Sequence, residues 1–364
     1  MLEFFKGKRV LITGHTGFKG AWLTRILLNA GAVVCGYSLE PPTESNLFSV
    51  AGLESIQDIR GDIRDLDHLK RTFDEFRPEI VFHLAAQPIV RESYRNPVYT
   101  YETNVMGTVN VLECIRLSRS VRSAVIITTD KVYKNNEWLW GYRENEPLDG
   151  FDPYSNSKSC ADLAVHCYRN SFFKEDGRAV SVARAGNVIG GGDFAVDRII
   201  PDCVRAASKS LPIEVRNPFS TRPYQHMLEP LSAYLLIAEK QWNDRSLSGD
   251  YNVGPDDADC LTTGDLVTLF CDKWNESRGL LPEASWKSRA EQNAPHEADF
   301  LKLDSTKIKS VLSWKPKWHI DECMEKTVHF YQEYLRDKES VVYEMDKEIS
   351  EFVLQNDIFP QVYI

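Results

Sequence analysis

Tyr154 and Lys158, four residues apart, are the side chains in this sequence best suited to moving a proton. On a helix, positions i and i+4 share one face and lie within reach of each other. A free phenol has a pKa of about 10, so about one in a thousand is ionised at neutral pH, and a neighbouring ammonium favours the phenolate. Tyr154 could then accept a proton from a hydroxyl whose carbon gives up a hydride. Alone, such a pair is more often an accident of a helix surface. Two further segments argue against accident. Thr129, Asp130 and Lys131 stand together at the end of an apolar run, offering a hydrogen bond, an acid and an amine. Near the start lies Gly14-His15-Thr16-Gly17-Phe18-Lys19-Gly20. Glycines there let the backbone turn tightly and approach a diphosphate, and a following helix offers free N–H groups and a positive dipole end. A loop that merely turns is the alternative. Its place between a strand pattern and a helix pattern favours the phosphate reading.

These residues need a scaffold, and the N-terminal half supplies its pattern. Arg9–Thr13, Val33–Tyr37, Ile80–Leu84, Ala124–Thr128 and Val180–Arg184 are short apolar runs, while Phe18–Asn29 has helical spacing. Near-continuous apolar strands alternating with helices predict a parallel sheet covered on both faces. The expected fold is α/β, a doubly wound Rossmann-type sheet over residues 1–186. Glycine and proline become frequent after Asn187, which predicts a smaller lobe over residues 187–335, with the chain free to cross between lobes. Residues 336–364 read as a peripheral tail without visible chemistry.

The scaffold places further candidates at strand ends. A dinucleotide's ribose often meets an acid at the end of the second strand. Here that place falls near Ser38, with Glu40 slightly beyond, and no arginine adjoins Ser38 in sequence to take a 2′-phosphate. NAD is therefore expected rather than NADP. Asp62, followed by Ile63, could accept the adenine amino group, although Asp62 or Asp65 could equally cap a helix. Leu84, Ala85, Ala86 and Gln87 close the fourth strand with small residues that allow a ligand against the backbone.

Composition limits the alternatives. The 364 residues are 43% apolar and 26% charged, which excludes disorder, and 43 basic against 53 acidic residues give a net charge of −10. Such a balance offers no general basic field for nucleic acid. No run approaches the roughly 20 apolar residues of a membrane span, and Leu2–Lys8 lacks a signal-peptide pattern. Eight scattered cysteines with no C-x-x-C pair read as free thiols rather than a metal or disulfide framework. A cytoplasmic protein without a metal is expected.

Gly14–Gly20, His83–Gln87, Asn104–Thr108, Thr129–Lys131 and Tyr154–Lys158 together resemble the extended short-chain dehydrogenase/reductase family, in its sugar-nucleotide branch. Trp138–Asn145, Arg184–Asp193, Arg222–His226 and Pro295–Asp304 extend the resemblance toward 4,6-dehydratases acting on CDP-glucose. The match covers roughly residues 6 to 335. It implies that NAD is held by Gly14–Gly20, Ser38, Asp62, Ile63, Leu84–Gln87, Asn104, Tyr154 and Lys158. Tyr154, assisted by Lys158, would take the carbon-four proton, and Thr129 would hold the resulting ketone. Asp130 would protonate the departing carbon-six hydroxyl. Related dTDP-glucose enzymes carry Asp-Glu where this chain has Asp130 and Lys131, so Lys131 becomes the candidate base at carbon five, or else only balances charge. Asn187, Arg198 and Arg222 fall where the family contacts the nucleotide sugar. His226 and His296 could touch it too, or merely pack. The resemblance further implies a homodimer, or a tetramer, through helices following Val98 and Pro153, covering Tyr99, Val105, Val109 and Leu112. An epimerase or decarboxylase on the same scaffold is the rival reading, and a non-catalytic dinucleotide sensor is a more distant one.

Overall fold

The structure, a computed structural model, describes residues 2–289 and 300–354. Seven parallel strands form its centre: β1 (Arg9–Thr13), β2 (Val33–Ser38), β3 (Gln57–Arg60), β4 (Ile80–His83), β5 (Ser123–Thr129), β6 (Ala179–Ala185) and β7 (Asp250–Val253). Their spatial order is β7-β6-β5-β4-β1-β2-β3. Every residue of β4, β5 and β6 is buried, because helices cover both faces. The reversal of order beside β1 opens a crevice at the carboxyl ends of the strands, where ligands bind in such sheets.

Helix α1 (Phe18–Asn29) packs Trp22, Leu23, Ile26 and Leu27 against one face. On the other face α2 (Leu66–Phe76), α3 (Gly107–Leu117) and α4 (Pro153–Tyr168) close a second core around Leu11, Tyr37 and Val81. Leu112 of α3 belongs to that core and is fully buried within the chain, contrary to the expectation that it waits for a partner. Apolar side chains left exposed on this side include Val98, Met106, Leu117, Leu163 and Phe172.

Beyond β6 the chain builds three two-stranded sheets. Val188–Ile189 pairs with Gln225–His226, Thr221–Pro223 with Cys260–Thr262, and Ile213–Val215 with Trp286–Ser288. Between them run α5 (Ile199–Ala207), α6 (Leu228–Asn243) and α7 (Thr263–Ser277). The chain crosses back: α6 lies under β5 and β6, where its Gln241 donates to the Ala124 carbonyl at 2.9 Å. Then β7 joins the sheet edge. Its sequence, Asp-Tyr-Asn-Val, has no apolar run, so nothing marked it as a strand. Its polar groups are matched instead, Asp250 by His166 and Arg169, both at 2.7 Å, and Asn252 by the Tyr142 carbonyl at 2.7 Å.

Helix α8 (Ile320–Arg336) precedes α9 (Val341–Leu354), which lays Val341, Met345, Ile349 and Phe352 into the main core. Asp346 of α9 pairs with Arg25 of α1. All eight cysteines are free. Among the described residues no helix is long and apolar enough to cross a membrane.

Candidate active site

A cavity of about 730 Å³ follows the carboxyl ends of the strands. Its floor is the loop between β1 and α1. Gly14 has φ +79°, and a Cβ there would lie 2.7 Å from the Ala85 nitrogen. Only glycine fits that close approach of two backbones. Thr16, Gly17, Phe18, Lys19 and Gly20 continue the lining, as do Ser38, Asp62, Ile63 and Leu84–Gln87. A glycine cradle opening on a helix N-terminus suits the diphosphate of a dinucleotide. The residues present fit that group.

Two expected cofactor residues are elsewhere. The His15 side chain turns beneath the loop, with Nε2 2.8 Å from Asp58 and its ring edge-on to Phe48. Burial holds its pKa below the usual value. Asn104 lies behind the cavity wall, accepting from the Gln87 N–H at 2.8 Å and donating to Ser157 at 2.9 Å. Its groups are spent tying the β4 loop to α4, which makes it a strut. The two aspartates separate cleanly: Asp65 caps α2 by accepting from the His68 N–H, while Asp62 lines the cavity. Burial raises the Asp62 carboxyl, but Arg64, bonding through side chain and backbone, holds it below its ordinary range. Register also supplies what sequence proximity did not. Ser38 is the lateral neighbour of Arg60 on β3, so an arginine does adjoin it in space.

The residues expected to handle protons lie together on the far side. Tyr154 and Lys158 rise from the first turns of α4, whose N-terminus is fixed by Asp152 accepting from the Ser155 N–H. Lys158 Nζ donates to the Ile127 carbonyl at 3.0 Å, and burial lowers its pKa to about 8. Tyr154 is pushed up to about 12 by burial, which outweighs the pull of Thr129 and Arg198. The expected lowering by Lys158 does not dominate, since desolvation disfavours a phenolate and the ammonium is held on Ile127. Thr129 ends β5 and donates to Asp130 at 2.8 Å. Asp130 is 1% exposed, and burial raises its pKa against the pull of Lys131, Thr129, Arg222 and Lys19. Its Oδ2 has no hydrogen-bond partner. It does not line the cavity itself but lies behind lining residue Gly186, where an added Cβ would stand 3.4 Å from Oδ2.

Lys131, Asn187, Arg198 and Arg222 line the cavity, with Arg198 3.0 Å from Asp193. His226 does not. It is wholly buried, accepts from the Leu228 N–H at 3.3 Å and stands edge-on to Trp318, so it is a packing histidine. His296 lies outside the described residues.

One supporting cluster was marked in sequence only by Arg184 at the start of a family-like segment, without a role. Arg184 of β6 is fully buried, donating twice to Asp162 of α4 at 2.8 Å and once to the Tyr133 hydroxyl. Tyr133 in turn donates to Asn252 of β7 at 2.6 Å. The cluster fixes the loop after Lys131 to three elements of the sheet layer. Asp162, His166 and Asp250 approach within 4.8 Å, but Arg184 and Arg169 already hold the carboxylates.

The chain's similarities agree with this architecture. The family model for GDP-mannose 4,6 dehydratase matches residues 11–327. The chain is 45% identical to a CDP-glucose 4,6-dehydratase of Salmonella typhimurium, over 96% of this chain and 98% of that protein. The NAD complex of Thermus thermophilus UDP-glucose 4-epimerase superposes with TM-score 0.75 at 26% identity, covering 89% of this chain and 99% of that one. A dTDP-glucose 4,6-dehydratase of Bacillus anthracis, at 21% identity, shares the fold with TM-score 0.73 over 90% and 97% of the two chains. With a family model spanning most of its length and a relative of such identity along nearly all of it, the chain belongs to the sugar-nucleotide 4,6-dehydratase family.

Proposed function

We propose that this chain dehydrates CDP-D-glucose to CDP-4-keto-6-deoxy-D-glucose, a step toward deoxysugars, with NAD as resident cofactor. The observation that carries the reading is one cavity shared by a glycine cradle, the Tyr154–Lys158 pair and Thr129 and Lys131 at the end of β5, with Asp130 buried against Thr129. The 45% identity to a CDP-glucose dehydratase supports the choice of substrate.

NAD, when bound, would supply the hydride acceptor and donor for internal redox between carbons four and six. The protein's residues manage the protons. Tyr154, as its phenolate, takes the proton of the carbon-four hydroxyl, and the Lys158 ammonium and the positive nicotinamide of bound NAD would favour that phenolate before the transfer. Thr129 donates to the ketone oxygen. The ketone acidifies the carbon-five hydrogen, which Lys131 removes, a task that needs its amine neutral. Asp130, whose pKa burial raises, donates the proton to the leaving carbon-six hydroxyl. Arg198 and Arg222 offer guanidinium groups to the substrate diphosphate beside Asn187. Asp62, Ile63, Ser38 and the loop from Gly14 to Gly20 would hold the dinucleotide. The nucleotide-sugar side is built mainly from residues 187–335, and two chains pair through the helices that follow Val98 and Pro153.

An epimerase on this scaffold needs no acid and amine at 130 and 131, and that pair favours elimination. The test offers CDP-, dTDP-, UDP- and GDP-glucose side by side and identifies products by mass and by keto-sugar absorbance in alkali. CDP-4-keto-6-deoxyglucose formed in preference to the others is the expected result. An interconverted hexose, or no product from any donor, overturns it.

A further inference from the structure

Asp130 and Lys131 leave the sheet at the point where the ladder that fixes β5 gives out. Thr129 is the last residue of β5, paired with Ala185 of β6, and Asp130–Val132 form one tight turn beyond it. Both flanks of that turn are gripped by a single stretch of α4. On the near flank Lys158 Nζ donates to the Ile127 carbonyl at 3.0 Å, and Asp162 accepts from the Thr128 hydroxyl at 3.2 Å. On the far flank Ser159 donates to the Val132 carbonyl at 2.7 Å. Asp162 reaches the next residue through Arg184, which donates to the Tyr133 hydroxyl at 2.8 Å and to the Glu144 carbonyl at 2.9 Å. Arg184 and Asp162 are wholly buried, and Tyr133 nearly so. A buried ion pair often adds little net stability, because desolvation offsets the attraction. What a fully bonded chain of polar groups secures is one arrangement of the elements that carry them.

We propose that the Asp162–Arg184–Tyr133 chain positions the turn for elimination, setting where Asp130 and Lys131 stand relative to Tyr154 and Lys158. Oxidation at carbon four uses groups on α4 together with Thr129, all fixed by helix and ladder. Loss of water across carbons five and six uses Asp130 and Lys131, which ride on the turn. A loosened turn therefore slows the second step and spares the first. Misplacement by about 1 Å can cost about 10²-fold in rate. Tyr133 does not line the cavity, so it acts through the turn and is a positioning residue.

This inference rests on the dehydratase reading above. The experiment is Tyr133→Phe, which keeps the ring stacked on Tyr142 at 5.4 Å and removes only the hydroxyl. Tyr142→Phe is the control, since its hydroxyl bonds Asn135 and Asn136 of the same loop, outside the Arg184 chain. With CDP-glucose, Tyr133→Phe should lower kcat by at least about tenfold while KM and NAD affinity stay near native. Rapid mixing should show reduced nicotinamide accumulating ahead of product, whereas Tyr142→Phe should behave as the native enzyme. Arg184→Lys keeps the charge but lacks the fork that serves Asp162 and Tyr133 together. It should show the same defect, and adding Tyr133→Phe to it should cost nothing more. A native kcat in Tyr133→Phe, an oxidation slowed as much as elimination, or losses that multiply in the double variant overturns the proposal. So does a kcat loss that follows a lowered urea midpoint in both tyrosine variants. In each of these cases native turnover leaves the dehydratase reading intact. A native protein that forms no keto sugar overturns both.

Discussion

Side chains at strand ends were readable because strand, turn and chemical type coincide there. Tyr154, Lys158, Thr129, Lys131 and the glycine loop all reach one cavity. His15, Asn104 and His226 were not readable as struts, because sequence shows a polar group but not whether the protein itself has consumed it. Arg60 was missed for a related reason, since parallel register brings it beside Ser38 across 22 positions. For Tyr154→Phe, turnover should fall by about 10²–10⁴-fold with dinucleotide still bound, as loss of a positioned proton acceptor commonly does. A loss below tenfold places the base elsewhere. For Lys131→Met, which keeps most of the stem's volume, the first oxidation should persist while solvent deuterium no longer enters carbon five. Rapid mixing would then show reduced-nicotinamide absorbance that builds and stays. Ordinary deuterium incorporation would reduce Lys131 to a balancing charge.

Among the elements, apolar strands were legible and β7 was not, because its Asp250 and Asn252 find partners that only tertiary structure provides. The two aspartates after β3 show the same limit, as spacing allowed either to cap α2. The structure gives the cap to Asp65 and the cavity to Asp62. Asp65→Ala should therefore cost about 0.5–2 kcal/mol of stability and leave dinucleotide affinity unchanged. Asp62→Ala should do the reverse, weakening dinucleotide binding with little effect on the denaturant midpoint. Equal effects from both would erase the distinction.

Across the whole molecule, Glu229 makes stability depend on pH. Its Oε1 accepts the Lys317 and Trp318 N–H groups, joining α6 to the entry of α8, and burial pushes its pKa up to about 7. A carboxyl raised in the folded state gives stability that is complete below its unfolded value, near 4.5, and is lost as pH rises through about 7. Glu229→Gln keeps the accepting oxygen and removes the titration. Between pH 5 and 8 the native protein should lose up to roughly 3 kcal/mol more than the variant, read from urea midpoints. Parallel curves would place that carboxyl at its ordinary range. Assembly is tested at this scale too: Val98→Glu with Leu163→Glu should convert a dimer to monomer in light scattering, and a native protein already monomeric removes the interface.

The pairing of β6 with β7 has a consequence for synthesis. The partner of Ala179–Ala185 is not made until Asp250–Val253 has been translated, so a nascent chain carries a long buried-type strand with one bare edge through everything in between. Unpaired apolar edges recruit other strands. A fragment ending at residue 186 would keep that edge for good and should form inclusion bodies. One extended through residue 253 should not, if the edge is the cause. The chain's slowest vulnerable interval is thus written into its strand order, and its chaperone demand should peak while the second lobe is leaving the ribosome.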